Sequence, residues 1–280
     1  MTQSLEHGLY IVATPIGNLG DITLRAIEIL RAVDAVACED SRVTGKLLNH
    51  IEANVPMLRY NDHSSAKDRA ALIEKAQHSA VALVSDAGTP MISDPGYKLV
   101  REAREAGVAI HTLPGASAAI AALTLAGLPT DRFLFAGFLP AKAQARLQAL
   151  KELGAVPATL VLYESGPRLV AMLEAIHSLW PQREVSVVRE ISKRFEEARN
   201  SSGEELAAHY RETPAKGEIV LVIAPPVAEA VEMDDSVVAD ALAEALEDMP
   251  VSKAAGTVAK RFGLDRKALY QKALDIKADG

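Results

Sequence analysis

The stretch Val81-Ala-Leu-Val-Ser-Asp-Ala-Gly-Thr-Pro-Met-Ile-Ser-Asp-Pro-Gly96 decides the fold class of this 280-residue chain. Its first four residues are apolar, which is typical of a strand buried on both faces. The residues that follow are dense in glycine, proline, aspartate and small hydroxyl side chains. Because ligands of α/β proteins bind at the carboxyl ends of parallel strands, this pattern predicts a strand that ends in a binding loop. A rigid, solvent-exposed turn at Ala87-Gly-Thr-Pro90 is the alternative interpretation.

The same order of strand, loop and helix occurs five times in the first half of the chain. The predicted strands are residues 8–13, 35–38, 57–60, 81–84 and 108–113. Each precedes a predicted helix, and the first helix has Asp21 as a candidate cap and a buried stripe formed by Ile22, Ala26, Ile29, Leu30 and Val33. Five such units predict a mostly parallel sheet with helices on both faces.

A break in this pattern at Gly127-Leu-Pro-Thr-Asp-Arg132 predicts a domain boundary. A second α/β set follows, with predicted strands at 133–138, 159–163, 184–188 and 218–224 and predicted helices at 144–153, 169–180 and 203–210. Residues 193–200 fit either an antiparallel strand or a loop. The acid-rich residues 229–248 predict a linker to a helical tail. We therefore expect α/β domains at 1–127 and 128–226, with the linker and a small helical module in 227–280.

Composition limits the class of protein. With 49% hydrophobic residues the chain can bury two cores. We expect no membrane span, because no apolar run has the required length, and no signal peptide, because the N-terminus lacks a basic segment followed by an apolar one. The single cysteine, Cys38, excludes an internal disulfide and favours the cytoplasm, and its apolar neighbours predict a buried side chain rather than a nucleophile. The histidines lack metal-ligand spacing, so we expect no metal.

The first strand-to-helix turn, Thr14-Pro-Ile-Gly-Asn-Leu-Gly20, differs from known nucleotide-binding motifs. It lacks the G-x-G-x-x-G pattern of dinucleotide folds, and the chain contains no G-x-x-x-x-G-K-[ST] motif. A nicotinamide enzyme and a P-loop nucleotide site are both disfavoured.

Five sequence blocks in fixed order carry a resemblance to a known family. The blocks are Ala13-Thr-Pro-Ile-Gly-Asn-Leu, Cys38-Glu-Asp-Ser-Arg-Val-Thr, Ser85-Asp-Ala-Gly-Thr-Pro-Met-Ile-Ser-Asp-Pro-Gly, Leu113-Pro-Gly-Ala-Ser-Ala and Lys216-Gly-Glu-Ile-Val-Leu-Val-Ile. Together they resemble the tetrapyrrole methylase superfamily over nearly the whole chain. Within it, the chain is similar to the branch that methylates the ribose 2′-hydroxyl of a cytidine in small-subunit (16S) ribosomal RNA.

The resemblance implies two α/β domains of the tetrapyrrole methylase type with the cofactor cleft between them. It also implies S-adenosylmethionine as cofactor, a homodimer, and ribosomal RNA or the small ribosomal subunit as partner. Gly88-Thr89-Pro90 matches the family's cofactor loop, and Ser117-Ala118 matches the segment whose backbone holds the cofactor. The expected cofactor contacts are Pro15, Gly17, Asp86, Gly88, Thr89, Pro90, Ser93, Ser117, Ala118, Tyr163 and Ala224. Pro167 stands where the branch usually has histidine, so any role of that histidine does not transfer.

Methyl transfer to a hydroxyl gains from orientation, from a base and from a cation near the developing oxyanion. The candidate bases are Glu39, Asp40 and Glu190, and the candidate cations are Arg42, Arg189 and Lys193. We expect Glu39-Asp-Ser41-Arg42 to line the site, with Ser41 touching the substrate. The alternatives are that Glu39 caps the next helix and that Arg189 and Glu190 form an ion pair.

The tail, Ser252 to Tyr270, has the pattern of a helix-turn-helix. Ser252 and Asp265 are candidate N-caps, and Gly263 is the candidate turn residue. Residues 252–277 hold seven basic and two acidic side chains in a chain of net charge −7. We expect RNA contacts at Lys253, Lys260, Arg261, Arg266 and Lys267. The alternative is a helical hairpin that only packs on the body of the protein.

Three functions remain open on sequence alone. The leading hypothesis is an S-adenosylmethionine-dependent RNA ribose methyltransferase. The same cofactor core would equally support methylation of a tetrapyrrole or of a protein side chain. A DNA-binding regulator, whose α/β body senses a metabolite, is the third.

Overall fold

The computed structural model describes residues 5–226, 235–262 and 264–279. The chain divides into two compact units, Met1–Pro226 and Val227–Gly280, and each has its own apolar core. Within the described ranges, no helix combines the length and the apolar character that a bilayer crossing requires.

The first sheet contains five parallel strands in the order β3-β2-β4-β1-β5. They are β1 (Gly8–Val12), β2 (Ala35–Cys38), β3 (Met57–Arg59), β4 (Ala80–Val84) and β5 (Ile110–Leu113). Along β1, Tyr10 and Val12 join one apolar core, whereas Leu9 and Ile11 join the other. The strands are therefore buried on both faces, and the prediction of a parallel sheet is confirmed.

Four helices cover the two faces of this sheet. They are α1 (Leu24–Ala32), α2 (Ser41–His50), α3 (Ala66–His78) and α4 (Tyr97–Glu105). Helices α1 and α2 contribute Leu30 and Leu47 to one core, and α3 and α4 contribute Leu72 and Leu99 to the other. All the strand-end loops therefore emerge at one edge, where β4 leads into the loop that begins at Ser85.

The second sheet is mixed, in the order β6-β7-β10-β8-β9, and β6 with β7 is its one parallel pair of neighbours among the described strands. Its strands are β6 (Phe133–Phe138), β7 (Thr159–Ser165), β8 (Glu184–Arg189), β9 (Glu197–Ser202) and β10 (Glu218–Ile223). Strand β9 pairs antiparallel with β8, so the strand alternative for residues 193–200 holds from Glu197 onward. One face of the sheet is covered by α6 (Ala143–Gly154), α7 (Gly166–Leu179) and α8 (Gly203–Glu212).

Helix α5 (Ala118–Ala126) follows the last strand of the first sheet but packs on the second. Its Ala122 and Leu123 are buried against Val161 and Val220 on the face that α6, α7 and α8 leave open. The helix therefore ties the two sheets together and places its first residues between them. The division of this unit at residue 127 stays a prediction.

Two predicted helix caps in this unit are wrong. Asp21 lies in a short 3-10 turn, and α1 is capped by Thr23, whose Oγ1 accepts from the Ala26 amide at 3.1 Å. Helix α2 is capped by Asp40 rather than by Glu39, because the Asp40 carboxylate accepts from the Arg42 amide at 2.8 Å. In both cases the cap is the polar residue directly before the first helical residue. Cys38 is buried, as predicted.

The second unit contains three described helices, α9 (Asp235–Asp248), α10 (Val251–Phe262) and α11 (Arg266–Asp279). The prediction of a linker through residue 248 is wrong, because Val238 and Leu242 lie four residues apart on α9 and are buried in the core of this unit. The acid-run residues 229–234 lie outside the described residues.

The caps of the tail helices give a mixed result. Asp265 caps α11, since its Oδ1 accepts from the Ala268 amide at 2.8 Å. Ser252 is wrong as a cap, because α10 begins at Val251 and the Pro250 carbonyl accepts from the Lys253 amide. Gly263, the predicted turn residue, lies outside the described residues. Helix, connection and helix follow in the predicted order.

Candidate active site

A cleft with a volume of about 170 Å³ lies between loops of the first sheet and strands of the second, and we call it the inter-sheet cleft. Nine residues that the sequence singled out line it: Asp86, Gly88, Thr89, Ser93, Ser117, Ala118, Tyr163, Glu190 and Lys193. Four others, Pro15, Gly17, Pro90 and Ala224, are not among its lining residues. For all of these residues, a contact with the cofactor stays a prediction.

The loop after β4 is fixed by bonds to two other strand-end loops. The backbones of Thr14 and Gly88 exchange two hydrogen bonds, at 2.8 and 3.0 Å. Thr89 donates through its hydroxyl to the Ala116 carbonyl at 3.0 Å. Gly88 and Pro90 are both buried, so the alternative of a solvent-exposed turn is wrong. Gly88 has φ +83°, a conformation that glycine adopts without strain. The three loops form one rigid wall of the cleft.

The second sheet supplies an apolar wall. The Tyr163 ring makes edge contacts with Phe135 and Phe138, with ring centroids 4.9 and 5.5 Å apart. Ile219 and Val220 extend this wall. Burial raises the pKa of the Tyr163 phenol. A flat apolar ligand group such as a purine fits against these side chains.

Glu190 and Lys193 form an ion pair on the rim of the cleft, with Nζ 3.0 Å from Oε1. Arg189 instead pairs with Glu197, so the alternative of an ion pair between Arg189 and Glu190 is wrong, and Arg189 does not line the cleft. A Cβ on Gly17 would lie 2.7 Å from Lys193 Cε. Glycine at position 17 therefore lets the Lys193 stem lie against the first strand-end loop.

Asp94 is a cleft residue that sequence reasoning missed. Burial raises its pKa to about 6, and the nearby carboxylates of Glu39, Asp86 and Glu218 add to the rise, while a hydrogen bond with Ser85 opposes it. The only sequence feature that points to Asp94 is its position as the second aspartate, after Asp86, in the Gly/Pro-rich loop 85–96. A carboxyl group with this pKa can accept a proton near neutral pH.

A second cavity, of about 510 Å³, lies at the ends of β2, β3 and β4, and we call it the strand-end cavity. Its lining residues are Cys38, Glu39, Asp40, Ser41, Arg42, Met57, Leu58, Arg59, Asn61 and Asp86. The predicted Glu39–Arg42 segment therefore lines this cavity rather than the inter-sheet cleft. Asp86 lines both, and its Oδ1 accepts from the Asp40 amide at 3.1 Å. The two cavities thus adjoin at Asp86.

Asp40 and Arg42 neutralise each other. Arg42 Nη2 lies 2.5 Å from Asp40 Oδ2, and these hydrogen bonds lower the pKa of Asp40 to about 2. Such a carboxylate is a weak base. Burial, followed by the charges of Asp86, Asp62 and Asp40, raises the pKa of Glu39. Glu39 is therefore the more basic of the two neighbours.

The second unit carries a basic groove of about 670 Å³ on α10 and the start of α11. Four of the five predicted RNA contacts line it: Lys253, Lys260, Arg261 and Arg266. Arg266 also donates to the Ser252 hydroxyl at 3.2 Å. Lys267 is not among the lining residues. The groove brings four cations together, and none of the described residues in its lining is acidic.

Pro167 lies in the first turn of α7, where a missing backbone N–H has no cost. It does not line the inter-sheet cleft.

Among the residues that the structure describes, no group of three or more histidine, cysteine or acidic side chains could hold a metal ion.

Comparison with known proteins now identifies the class. Residues 8–207 match the tetrapyrrole (corrin/porphyrin) methylases, and the chain belongs to this family. Residues 232–277 match a second family, described as the RsmI C-terminal HTH domain. The resemblance seen in the sequence is confirmed.

Three relatives are similar over nearly their whole length, and each is named ribosomal RNA small subunit methyltransferase I. The protein from Erythrobacter litoralis is 58% identical over 98% of this chain and 97% of its own. Those from Mesorhizobium japonicum and Escherichia coli O157:H7 are 48% and 46% identical, over 98% and 95% of this chain and 93% and 94% of their own.

Solved structures share the fold at low identity. Diphthine synthase aligns with a TM-score of 0.62 at 19% identity, over 77% of this chain and 89% of its own. A uroporphyrin-III C-methyltransferase from Thermus thermophilus, complexed with S-adenosyl homocysteine, aligns with a TM-score of 0.55 at 22% identity, over 78% and 97%. The predicted fold class is confirmed.

The expectation of a methyltransferase that uses S-adenosylmethionine is also confirmed. The inter-sheet cleft fits such a cofactor chemically. Its carboxylates, which include Asp86, Glu190 and Glu218, suit a sulfonium cation with an amino group, and its Tyr163 wall suits an adenine. Which of these residues touch the cofactor stays a prediction.

We expect Gly88→Val to weaken S-adenosylmethionine binding about 10-fold or more, which corresponds to about 1.4 kcal/mol. A Cβ at this position would already lie 3.4 Å from Ile16 Cγ2, so a branched side chain must displace the loop or project into the cleft. Calorimetric titration measures the affinity.

The matched control for that variant is Gly107→Val. Gly107 has a similar φ of +74°, and a Cβ there would meet nothing within 4 Å. The Gly107→Val substitution therefore strains the backbone to a similar extent, but at a position that does not line the cleft. Equal affinities in the two folded variants would contradict the assignment of the loop.

Proposed function

We propose that the protein transfers a methyl group from S-adenosylmethionine to the ribose 2′-hydroxyl of a cytidine in 16S ribosomal RNA. The observation that carries this proposal is the pair of adjoining cavities that share Asp86. One is suited to the methyl donor, and the other is open to an acceptor. The names of the relatives, which specify small-subunit ribosomal RNA, support the choice of substrate.

When bound, S-adenosylmethionine supplies an electrophilic methyl group to a nucleophile placed in line with it. The residues of this chain then have to orient the ribose and accept the hydroxyl proton. Asp86 lies at the boundary of the two cavities, so we place the reacting hydroxyl there. The loop after β4 would form the floor under it.

Asp94 is the general base of this proposal. It lines the inter-sheet cleft together with Asp86, the residue that both cavities share, and the charges of Glu39, Asp86 and Glu218 contribute to its raised pKa. Asp40 is held by Arg42, and Glu190 is held by Lys193. The pKa of Asp94, at about 6, leaves it ionised at neutral pH yet basic enough to take a proton.

The basic groove of the second unit binds phosphates of the RNA in this proposal. Lysine and arginine side chains that neutralise phosphates make affinity depend on salt, with nearly one unit of slope per contact. Among the residues of this unit that the structure describes, no acidic side chain lines the groove to compete with phosphate.

We expect simultaneous replacement of Lys253, Lys260 and Arg261 by alanine to flatten the plot of log RNA affinity against log salt by roughly two to three units. Filter binding over a series of salt concentrations measures the slope. Cofactor affinity should not change, because none of these residues lines the inter-sheet cleft.

A matched triple variant outside the groove replaces Lys67, Lys75 and Lys98, which are exposed on α3 and α4. It removes the same formal charge and should change the slope less. Equal slopes in the two triple variants would mean that the groove is a packing element, as in the helical-hairpin alternative.

The proposed reaction is tested with S-adenosylmethionine that carries a labelled methyl group. The protein is incubated with small ribosomal subunits, with naked 16S RNA or with a tetrapyrrole. We expect label in RNA, at one cytidine whose 3′ linkage resists alkali, since a methylated 2′-oxygen cannot attack the phosphate. Label in the tetrapyrrole or in a ribosomal protein would favour the alternative methyltransferases instead.

We also propose the homodimer that the family resemblance implies. Helix α5 is apolar around its circumference, and Ile120, which is 50% exposed, and Leu125 are only partly covered within one chain. Sedimentation at micromolar concentration should give about twice the chain mass of 29.8 kDa. A single species at the chain mass would rule the dimer out.

A cytoplasmic location of the protein stays an expectation.

A further inference from the structure

The strand-end cavity has the size and the mixed lining of a small-molecule site. Its volume of about 510 Å³ lies within the range typical of ligand pockets. Met57 and Leu58 give it an apolar side, and charged groups and an amide lie around that side. Methionine side chains are flexible and make favourable contacts with aromatic rings. The cavity can therefore accept a planar, polar-edged ring.

Several side chains of this cavity keep unused hydrogen-bonding groups, among them Ser41 and Arg59, and the pair that matters here is Glu39 and Asn61. The carboxylate of Glu39 accepts from no group in the described part of the chain, whereas the Asp40 carboxylate is held by Arg42. The Asn61 Oδ1 accepts from the His63 amide at 3.0 Å, which fixes the side chain and leaves its NH₂ group as a donor with no partner among the described residues. The pair of Glu39 and Asn61 thus offers one free acceptor and one free donor.

Glu39 and Asn61 follow two neighbouring parallel strands, since Cys38 pairs with Arg59 and the Tyr60 amide donates to the Cys38 carbonyl at 2.9 Å. The charges of Asp62 and His63, which follow Asn61 in the same turn, act on the Glu39 carboxyl and shift its pKa in opposite directions. Glu39 and Asn61 both line the same cavity at adjoining strand ends, which agrees with the strand pairing. The pair presents an acceptor and a donor to one edge of a bound ring.

That pair matches the edge of cytosine. Cytosine carries an exocyclic NH₂ donor next to the N3 acceptor, and carboxylates accept from the cytosine amino group. In uracil both positions are reversed, with a carbonyl acceptor next to an N–H donor. Uracil would therefore place its carbonyl against the Glu39 carboxylate and its N–H against the Asn61 NH₂ group.

We propose that the strand-end cavity holds the unstacked base of the target nucleotide, and that Glu39 and Asn61 select cytosine over uracil. This inference rests on the proposed function. It assigns to Glu39 a role in recognition rather than in proton transfer. Single-stranded RNA is commonly read in this way, with a base turned out of its stack and bonded along its Watson–Crick edge. The shared wall at Asp86 then brings the ribose of that base to the inter-sheet cleft.

The test uses the full-length protein and two RNA substrates that differ only in having cytidine or uridine at the methylated position. Initial rates at subsaturating RNA give the preference for cytidine as a ratio of kcat/KM values. We expect Glu39→Gln and Asn61→Asp each to lower this ratio at least about 10-fold, in line with the usual discrimination by one base contact. The double variant restores a matched pair for uracil, so its ratio should fall below that of either single variant.

Two controls keep the result interpretable. Glu28→Gln, at an exposed position on α1, should leave the ratio as in wild type. Cofactor affinity of each variant, measured by calorimetry, shows that the fold and the cleft are intact. A cytidine-to-uridine ratio that is the same in all folded variants and in wild type would overturn this inference alone. Failure of the wild-type protein to methylate any RNA would overturn the proposed function and this inference with it.

Discussion

Asp94→Asn should lower turnover by about 10²-fold or more while leaving the affinity for S-adenosylmethionine nearly unchanged. The amide keeps the shape of the carboxyl group but cannot take the hydroxyl proton, and loss of a general base usually costs 10²- to 10⁴-fold. Single-turnover rates with saturating RNA measure this effect. Asp131→Asn, at an exposed position outside both cavities, is the matched control. A turnover in Asp94→Asn equal to that of the control would remove Asp94 from the reaction.

The raised pKa of Asp94 also predicts two dependences on pH. Turnover should rise with pH through about 6 and then level off, because only the ionised carboxyl can act as base. Stability should change in the opposite direction. The folded protein holds this proton up to a higher pH than the unfolded chain does, so the carboxyl contribution to stability falls as pH rises from about 4 to about 6. In Asp94→Asn both dependences should disappear from kinetic and denaturation profiles.

Arg168→Leu should destabilise the first unit by up to about 3–5 kcal/mol, the usual cost of removing one partner from a buried ion pair, since Glu164 is buried although the Arg168 side chain is 30% exposed. Arg168 Nε lies 3.1 Å from Oε1 of Glu164, which is only 1% exposed. Without the guanidinium, the buried charge of Glu164 keeps only its hydrogen bonds from Ser165, whose amide donates to Oε1 at 2.7 Å. Urea denaturation followed by circular dichroism measures the loss.

Two further variants separate this effect from general damage. Adding Glu164→Gln to Arg168→Leu removes the uncompensated charge and should recover much of the lost stability. Arg101→Leu breaks an ion pair with Glu105 whose two side chains are both largely exposed, and it should change stability little. A similar loss in Arg101→Leu and Arg168→Leu, with no recovery in the double variant, would refute the account.

The parts of the fold that were predictable depend on contiguous residues. An apolar run such as 81–84 predicts a buried strand without any tertiary information. The Gly/Pro-rich loop after it is likewise predictable from contiguous residues. Helix caps were less predictable, since Asp21 and Thr23 are both good caps and only the actual start of α1 decides between them. The acids of α9 similarly concealed an apolar stripe of two buried positions, Val238 and Leu242.

The candidate site was only partly predictable because it is assembled from distant segments. Residues that the strand-end loops carry were found from their motifs, whereas Phe138 and Val220 enter the cleft through the pairing of the second sheet. The pKa of Asp94 likewise depends on carboxylates at positions 39, 86 and 218. No window of sequence contains that combination of charges.

The packing of α5 has a consequence for synthesis of the chain. The helix ends at residue 126, but part of the surface that buries it belongs to β10, which ends at residue 223. At roughly 5–20 residues per second, on the order of 10 s pass between the emergence of the two elements. During that interval a nearly all-apolar helix lacks its partner strand. The first half of the nascent chain therefore exposes an apolar, aggregation-prone surface until β10 has been synthesised.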